Sequence, residues 1–330
     1  MSISPQPARV PAFVASVRAR KAGRTAVAAA AAAATLLGSL PAQAAITHRY
    51  SFTSGGSDGF TVIDSVGTAN GVLVDRSPNG AQAPSISGGQ VQLNNLGTSN
   101  DVAFGNYVDL PNNIAKTQNV TIEGWATWGG GSVWQRIFDI GTNNQGEQAP
   151  ASTVTGYNGT SYVFASPKVD RSNQGFGSEL RVDPNSTNAD HNGVDFGTGE
   201  HHFAVVIQGG ANGTMKLYKD GAEVASSATT LNPANIDQVN TWIGRSNWQG
   251  DPFYNGSVNE FRIYDTAQSA AQLAASFGAG PDALPSAALT RQWGVTPGPA
   301  DYNTPGNWSP SGLPAAGDTA LFANGGEAVV

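Results

Sequence analysis

The stretch Thr241–Asp265 reads TWIGRSNWQGDPFYNGSVNEFRIYD and decides the fold. It opens with a short apolar strand signal at Trp242 and Ile243 and continues through a polar loop built from residues that favour turns. Val258–Tyr264 then alternates apolar and polar side chains, as a strand with one buried face does. The stretch therefore predicts two strands joined by a long loop.

A short helix is predicted directly after this stretch. Ser269 and Gln272 are spaced as a capping box, in which each side chain bonds a backbone N–H at the start of a helix. The helix signal runs to about Phe277. The order of these pieces, strand, polar loop, alternating strand and helix, is specific enough to compare with known folds.

Taken together, the pieces resemble the closing motif of laminin G-like domains of the concanavalin A-like jelly-roll type. The resemblance is carried by Ile243–Arg245, by Phe253–Tyr264 and by the helix that follows. Such domains are two antiparallel sheets packed face to face, usually secreted and most often binding modules. The resemblance thus implies an all-β protein, an antiparallel two-sheet jelly-roll β-sandwich of the concanavalin A-like type with one short C-terminal helix.

Earlier segments resemble the same family. Residues 64–71 match its Asp-Ser-x-Gly…Asn-Gly segment after the first strand, and residues 217–221 match its Leu-Tyr-x-Asp-Gly core. Val120–Trp128 is the strongest strand signal and resembles a central strand. The pair His201-His202 departs from the family's usual Trp-His. The resemblance covers nearly all of residues 45–283, which we expect to form the jelly-roll domain.

The composition narrows the class of protein. Only 12% of the 330 residues are charged, against about 25% in a typical domain, and glycine is abundant, which suits a turn-rich β protein. From residue 46 onward the chain holds 12 basic and 24 acidic residues, a net charge of −12. Such a surface repels phosphate, so nucleic acid and anionic membranes are poor candidate partners. The chain has no cysteine, which excludes disulfides and thiol catalysis.

The first 44 residues have the pattern of an export signal. Five basic residues precede an apolar, alanine-rich run from Thr25 to Leu40, and Ala42-Gln43-Ala44 is a small-x-small cleavage site. The apolar run is shorter than the roughly 20 residues that a transmembrane helix needs. We predict export by a bacterial cell, with cleavage after Ala44 and no membrane span in the mature chain.

The chain changes character near its C-terminal end. Residues 284–292 lie in a glycine-, alanine-, proline- and serine-rich stretch that predicts a linker. Residues 293–330 resemble the opening repeat of the β-solenoids of bacterial surface and autotransporter-like proteins. A single repeat cannot bury its face alone. We therefore expect a second β-rich repeat region that is truncated here, and a monomeric domain within a longer protein.

Glu123 is the first candidate for a catalytic carboxylate, because it lies near Trp125 on the segment with the strongest strand signal. Glycosidases need two carboxylates about 5–9.5 Å apart, and a partner on the same strand would stand two or four residues away. Those positions hold Trp125 and Thr127, and the Glu-x-Asp-x-x-Glu pattern of the related glucanases is absent from the sequence. We therefore predict no catalytic residue and interpret Glu123 as a solvated or hydrogen-bonded strand residue.

A calcium site is favoured over a zinc site. The four histidines lack metal-ligand spacing, and neighbours on a strand point to opposite faces. Asp64, Asn70 and the carbonyl groups between them offer oxygen ligands in a flexible loop. Many laminin G-like domains bind a structural calcium ion, so the resemblance supports this assignment. The alternative is that Asp64 and Asn70 cap turns through their own backbone.

A sugar site needs aromatic faces for stacking and amides or carboxylates for the hydroxyl groups. The loop after Ile243 has this make-up, and two glycine- and asparagine-rich segments offer further candidates. The predicted ligand-binding residues are Trp248, Tyr254, Asn247 and Asp251 in that loop, with Trp134 and Asn144 from the other segments. The alternative for Trp248 is that its side chain only covers an edge of the sandwich.

These observations favour a secreted or cell-surface carbohydrate-binding or adhesion module without catalytic activity of its own. The expected partner is a polysaccharide or glycoconjugate, since a jelly roll does not by itself confer activity. Two alternatives stay open: a component of a polysaccharide-degrading glycoside hydrolase, and a structural spacer in a surface adhesin. Exposed Trp248 and Tyr254 would argue against the spacer, which has no reason to expose aromatic rings.

Overall fold

A computed structural model describes residues 46–53, 55–77 and 82–284 and four short strands between residues 290 and 329. The predicted signal peptide, residues 1–44, lies outside the described residues. Strands make up 43% and helices 6% of the structure, which confirms the all-β class. Within the described part of the chain no helix is long and apolar enough to cross a membrane.

The first of two large sheets, sheet A, contains eight strands. They are β1 Ile46–Tyr50, β4 Ser85–Ser87, β5 Gln90–Gln92, β7 Asn119–Trp128, β12 Glu200–Gln208, β13 Gly213–Lys219, β14 Ala222–Thr229 and β16 Gly256–Tyr264. Their order is β14-β13-β12-β7-β16-β5-β4, and β1 also pairs with β16. All pairs are antiparallel, and β7 lies at the centre as its strong strand signal predicts.

The second sheet, sheet B, also contains eight strands. They are β2 Thr61–Val62, β3 Gly71–Val74, β6 Tyr107–Leu110, β8 Phe138–Asn143, β9 Gly159–Val169, β10 Gly175–Val182, β11 Asn185–Asp190 and β15 Asn240–Ile243. Their order is β11-β10-β9-β8-β15-β6-β3-β2, with antiparallel pairing throughout. Two antiparallel sheets and one helix make the predicted jelly-roll sandwich.

The main hydrophobic core lies between the two sheets. Phe138 on β8 of sheet B packs against two rings of sheet A, with centroids 6.0 Å from Phe203 and 5.6 Å from Phe261. All three side chains are fully buried. Ile122 on β7 and Val163 on β9 extend the same core. Since every second residue of a strand points inward, this core fixes which side chains face outward on each sheet.

Helix α1, Ala270–Ala279, covers part of the outer face of sheet A. Ser269 and Gln272 form the predicted capping box, each side chain bonding the other's backbone. Leu273 and Ser276 of the helix are buried against sheet A. As a result, the outer face of β7, which carries Glu123 and Trp125, is also buried. An alternating strand pattern predicts one solvent-exposed face, whereas both faces of β7 are buried.

Four short strands follow the sandwich in the sequence: β17 Thr290–Trp293, β18 Trp308–Ser309, β19 Thr319–Leu321 and β20 Glu327–Val329. They form one sheet in the order β18-β17-β19-β20, in which β17 and β19 are parallel. β17 begins at Thr290, inside the stretch predicted as a linker. The remaining residues of the predicted repeat region lie outside the described residues, and the solenoid assignment stays a prediction.

Candidate functional site

The candidate site begins on the outer face of sheet B, where β9 pairs with β10. Val163 points into the core, so Tyr162 and Phe164 on either side of it point outward. In the register of this pair, Arg181 stands opposite Tyr162, and Glu179 stands opposite Phe164. Residues paired across an antiparallel ladder share a face. Two aromatic and two charged side chains therefore meet on one patch of the outer surface.

The loop between β15 and β16 places Trp248 on this patch. The indole N–H of Trp248 donates to the hydroxyl of Tyr162 at 3.1 Å, and the ring is half-buried. Gly159 at the start of β9 makes room for it, since a Cβ there would lie 2.5 Å from the indole nitrogen. A glycine at this position thus permits the close approach of the tryptophan.

Trp134 approaches the patch from the loop before β8. Its φ angle is +68°, in the left-handed region that bulky residues rarely adopt, and its N–H donates to the carbonyl of Lys168 at 2.7 Å. The ring is half-buried, and the guanidinium of Arg171 lies 5.2 Å from its centroid. Strained backbone of this kind is held in place by its surroundings and is concentrated at functional sites.

Together these side chains line an open pocket of about 260 Å³, called the aromatic pocket below. Its lining residues are Trp134, Arg136, Tyr162, Glu179, Arg181, Trp248 and Asp251. The pocket thus has aromatic rings from two loops and one strand, and charged groups from β10 and from the loops.

Arg136 forms the floor of the aromatic pocket. Its guanidinium lies 3.7 Å from the centroid of the Phe164 ring, and its side chain is only 2% exposed. It donates to the carboxylate of Asp251 at 2.7 Å and to the carbonyl of Trp134 at 2.7 Å. Asp139 lies 3.4 Å from its Nε. One buried cation thereby connects the Trp134 loop with the Trp248 loop.

Arg171 and Glu179 secure the wall formed by β10. Arg171 donates to Glu179 and to Asp190, both at 2.6 Å. The other oxygen of Glu179 accepts from the hydroxyl of Tyr162 at 3.3 Å. Arg181 donates to Asp183 at 2.7 Å and to the carbonyl of Thr160 at 3.2 Å. Each polar side chain of the wall is therefore held by a partner before any ligand arrives.

Burial raises the pKa values of two carboxyl groups beneath and beside the pocket. Desolvation raises the pKa of Asp139 to about 6, although Arg136 and Asn247 stabilise its charged form. Desolvation also raises the pKa of Asp251, again against the stabilising effect of Arg136. Arg136 lies within ion-pair distance of both carboxylates.

The structure brings three of the six predicted ligand-binding residues together. Trp134, Trp248 and Asp251 all line the aromatic pocket, although they come from two loops separated by about a hundred residues. Asn144 is exposed but lies outside the pocket lining, and its side chain accepts from the N–H of Asn158 at 2.7 Å.

The other two predicted residues are buried. Tyr254 is fully buried in the core between the sheets, so the expectation that it is exposed is wrong. Its ring points from the end of the loop into the space between the two sheets. Asn247 is also fully buried, and its backbone and side-chain N–H groups donate to Asp139 at 3.0 and 2.8 Å. It supports the carboxylate that faces Arg136 rather than the surface.

Four lining residues were not predicted from the sequence: Arg136, Tyr162, Glu179 and Arg181. The sequence predicts one strand around Ser161–Ala165 and another around Glu179–Val182, within the observed β9 and β10, but it does not predict the register between them. The alternation of Tyr162 and Phe164 with small or apolar neighbours is the signal that could have marked an aromatic outer face.

At the predicted calcium site, donors already surround the oxygens. Asp64 Oδ1 accepts from the backbone N–H groups of Arg49, Val66 and Gly67, and Oδ2 accepts from that of Ala69. Further, Oδ2 lies 2.7 Å from the ring nitrogen of His48, and Asn70 accepts from the N–H of Asp64 at 2.9 Å. These bonds lower the pKa of Asp64 despite desolvation. They are the turn-capping bonds of the alternative interpretation, and calcium binding stays a prediction.

Glu123 lies under helix α1 and is 1% exposed. Its Oε1 accepts from Arg262 at 3.1 Å, from the hydroxyl of Tyr264 at 2.9 Å and from Ser276 at 2.6 Å. His202 lies 3.4 Å away on the other oxygen, and its ring packs 4.7 Å from that of Trp125. Glu123 is thus a hydrogen-bonded strand residue, one of the two interpretations the sequence allowed, on the opposite sheet from the aromatic pocket.

This chain is similar in structure to several solved proteins. Domain 4 of AbnA, a GH43 extracellular arabinanase from Geobacillus stearothermophilus in complex with arabinotriose, is 17% identical, with a TM-score of 0.50 over 70% of this chain and 97% of that domain. The Ruminococcus gnavus IT-sialidase CBM40 bound to alpha2,3 sialyllactose is 18% identical, with a TM-score of 0.38 over 50% of this chain and 85% of that one. At 17% identity the arabinanase domain shows a common fold alone.

Sequence comparison gives the family. No curated protein matches the chain. A laminin G family model, described as the concanavalin A-like lectin/glucanases superfamily, matches residues 100–274, more than half of the chain. The match begins shortly before β6, ends within helix α1 and includes every residue of the aromatic pocket. The chain therefore belongs to the concanavalin A-like lectin/glucanases superfamily.

Proposed function

We propose that residues 45–283 form a carbohydrate-binding or adhesion module of an exported, extracellular or cell-surface protein, without catalytic activity of its own. The observation that carries the proposal is the aromatic pocket, in which Trp134, Trp248 and Tyr162 stand beside the carboxylates of Glu179 and Asp251. The ligand is a polysaccharide or glycoconjugate.

The chemistry of the pocket suits a sugar ring. A pyranose or furanose presents C–H groups on its faces and hydroxyl groups around its rim. Aromatic rings pack against the C–H face, and a few fixed polar groups select the hydroxyl pattern. Trp248 is held by Tyr162, and Asp251 is held by Arg136, so both kinds of group are positioned before the ligand arrives. Such pre-organisation lowers the entropy that binding would otherwise lose.

The arabinanase domain supports the choice of ligand class. It shares the fold of this chain with a TM-score of 0.50, and its structure was solved in complex with arabinotriose. A sandwich of this type can therefore carry a site for a short neutral oligosaccharide. We take arabino-oligosaccharides as the first soluble probes.

The hydrolase alternative would need the pocket carboxylates to act as acid and base. A general acid must hold its proton near neutral pH; desolvation acts in that direction on Asp251, but the ion pair with Arg136 at 2.7 Å opposes it and occupies one carboxylate oxygen. Glu179 is likewise paired with Arg171 at 2.6 Å. These pairs favour a binding role for both carboxylates. Release of reducing sugar from a polysaccharide panel, lost in Asp251→Asn, would support the alternative.

The test is a glycan array probed with the chain from residue 45 onward, once in calcium and once in chelator. We expect binding that Trp248→Ala and Trp134→Ala each weaken by about tenfold or more, together with a change in tryptophan fluorescence on titration with the bound sugar. Phe60→Ala is the matched control, since Phe60 is 49% exposed beside β2 at the opposite edge of sheet B. An array that stays blank in both conditions would favour the spacer.

A further inference from the structure

We propose that the aromatic pocket takes uncharged glycans and excludes acidic ones, because the protein's own carboxylates already occupy the guanidinium groups around it. The inference rests on the proposed function, whose site it assigns to a ligand class. It is carried by the pairing of Arg136, Arg171 and Arg181, the three arginines at the pocket.

Arg136 has no free face for a ligand anion. It lies against Phe164 on one side, its two terminal nitrogens donate to Asp251 and to the carbonyl of Trp134, and Asp139 lies 3.4 Å from its buried Nε. Its side chain is 2% exposed. A sugar carboxylate could reach it only by displacing Asp251, which would leave that carboxylate buried without a counterion.

Arg171 is occupied in the same way. It contacts Glu179 and Asp190 at 2.6 Å each, one through each terminal nitrogen, and the ring of Trp134 covers it with its centroid 5.2 Å away. A guanidinium recognises a carboxylate through two parallel N–H bonds. Each terminal nitrogen of Arg171 already bonds a protein carboxylate, so a ligand carboxylate would have to compete with Glu179 and Asp190 for this cation.

Arg181 is the most accessible of the three, with 27% of its side chain exposed. Its Nε donates to the carbonyl of Thr160, and one terminal nitrogen contacts Asp183 at 2.7 Å. Asp183 is 50% exposed and is not itself a lining residue of the pocket. This arginine is therefore the one whose pairing a single surface substitution can release.

Across this cluster, three guanidinium groups face five carboxylates: Asp139, Asp183, Asp190, Glu179 and Asp251. The cluster therefore carries more negative than positive charges, and because it is partly buried, solvent screens these charges less. A uronic or sialic acid would bring another negative charge into this field and would lose its hydration without gaining a free cation.

A neutral sugar meets the opposite situation. Asp251 Oδ2 accepts from Arg136 and Ser246, whereas no donor among the described residues reaches its Oδ1. Each oxygen of Glu179 accepts one hydrogen bond and has capacity for another. The pocket therefore offers acceptors to O–H donors, and hydroxyl groups are the donors that every uncharged sugar carries.

The experiment compares neutral and acidic glycans that share one backbone, using the chain from residue 45 onward. The probes are α-1,4-linked galactotriose against trigalacturonic acid, and xylotriose against the same chain carrying glucuronic acid, with arabinotriose added as a neutral reference. Dissociation constants are measured by calorimetry at about 20 mM and about 150 mM salt, where the Debye length falls from over 20 Å to about 8 Å. We expect a neutral member to bind at least about tenfold more tightly than its acidic counterpart, with the gap narrowing at higher salt.

Asp183→Asn tests the cause of the discrimination, since it releases Arg181 while leaving the other pairs in place. We expect the preference for the neutral member to shrink by about fivefold. Asp237→Asn is the control, because it removes the same charge from an exposed loop position outside the pocket lining.

The outcomes separate the two proposals. An acidic member that binds the unaltered chain as tightly as its neutral partner would overturn the inference and leave the proposed function standing. A preference that Asp183→Asn leaves unchanged would also overturn it, since the arginine pairing would then not be the cause. If no glycan of either class binds, here or on the array, the proposed function and the inference both fail.

Discussion

The indole N–H of Trp248 donates to the hydroxyl of Tyr162 at 3.1 Å, and this bond ties a loop tryptophan to the middle of sheet B. The ring also packs against the cluster of Tyr162, Phe164 and Val169. It lines the aromatic pocket together with Asp251, which accepts from Arg136. The orientation of the Trp248 indole thus depends on a residue of a rigid strand as well as on its own loop.

This relationship predicts that Tyr162→Phe weakens glycan binding although the ring is kept. The substitution removes the acceptor for Trp248 and the donor to Glu179, so the indole becomes free to rotate. We expect affinity to fall by about three- to tenfold, less than for Trp248→Ala, with a loss of about 0.5–1.5 kcal/mol in stability. Calorimetry and urea unfolding check it. Equal affinity in Tyr162→Phe and the unaltered chain would show that the bond does not position the indole.

The fold could be predicted because its determinants are local. Alternating strands, Asn-Gly and Asp-Gly turns and a capping box all act over a few residues, and their order matched a known family. β4 and β11 escaped prediction because Ser85–Ser87 and Asn185–Asp190 carry few apolar side chains. These strands form at sheet edges, where pairing with a neighbour decides the conformation more than propensity does.

The site could be predicted only in part, because it depends on long-range register. Trp134 and Trp248 could be selected from the sequence because each is an aromatic residue in a loop rich in turn-forming residues. Glu179 joins them through its pairing with Phe164 across β9 and β10, and no short pattern encodes that register. Tyr254 was misplaced because its loop neighbours are polar, whereas its own ring fills the core.

The buried carboxylates predict an unusual pH dependence of stability. Desolvation raises the pKa of both Asp109 and Asp139 to about 6. A raised pKa means that the folded state holds these protons more tightly than the unfolded chain, so stability falls as pH rises through about 6. The lowered pKa values of Asp64 and Glu123 act in the opposite direction below about pH 4. We therefore expect maximal stability near pH 4 and a decrease from there to about pH 6.

Urea unfolding at several pH values measures this effect. We expect the free energy of unfolding to drop by about 1–3 kcal/mol between pH 5 and pH 7.5. Asp109→Asn should flatten the curve, since an amide can still accept the indole N–H of Trp242, which now donates to Asp109 at 3.0 Å. Stability that increases steadily up to pH 7.5 would contradict the assignment.

The turn at Asp64 makes opposite predictions for its two interpretations. A tight structural calcium ion would raise the melting temperature with excess calcium and lower it with chelator. Four backbone N–H groups already donate to the carboxylate of Asp64, so we expect no shift above about 1 °C in either direction. Asp64→Ala should nonetheless cost about 2–4 kcal/mol, because it leaves those donors unpaired. A calcium-dependent melting temperature that Asp64→Ala abolishes would establish the metal site.

The C-terminal boundary of the sandwich predicts how far the chain can be shortened. Arg262 donates to the carbonyls of Pro281 and Ala283 at 2.6 and 2.9 Å, and Arg49 donates to that of Asp282 at 3.0 Å. We expect residues 45–284 to unfold with the same free energy as residues 45–330, and residues 45–278 to be less stable by about 2–4 kcal/mol. Chemical denaturation of the three chains checks it, and equal stability of the shortest would place the boundary earlier.

Arg262 also predicts what a buried ion pair contributes in this fold. Its guanidinium lies between Glu123, at 3.1 Å, and Glu260, at 2.6 Å, with all three side chains at most 1% exposed. Arg262→Met leaves Glu123 without its cation beneath helix α1, so we expect a loss of about 3–5 kcal/mol. Adding Glu123→Gln should restore part of that loss, because the buried charge disappears while the amide still accepts from Tyr264. A double variant less stable than Arg262→Met would instead mean that Glu123 stabilises the helix through Ser276 and Tyr264, independently of the arginine.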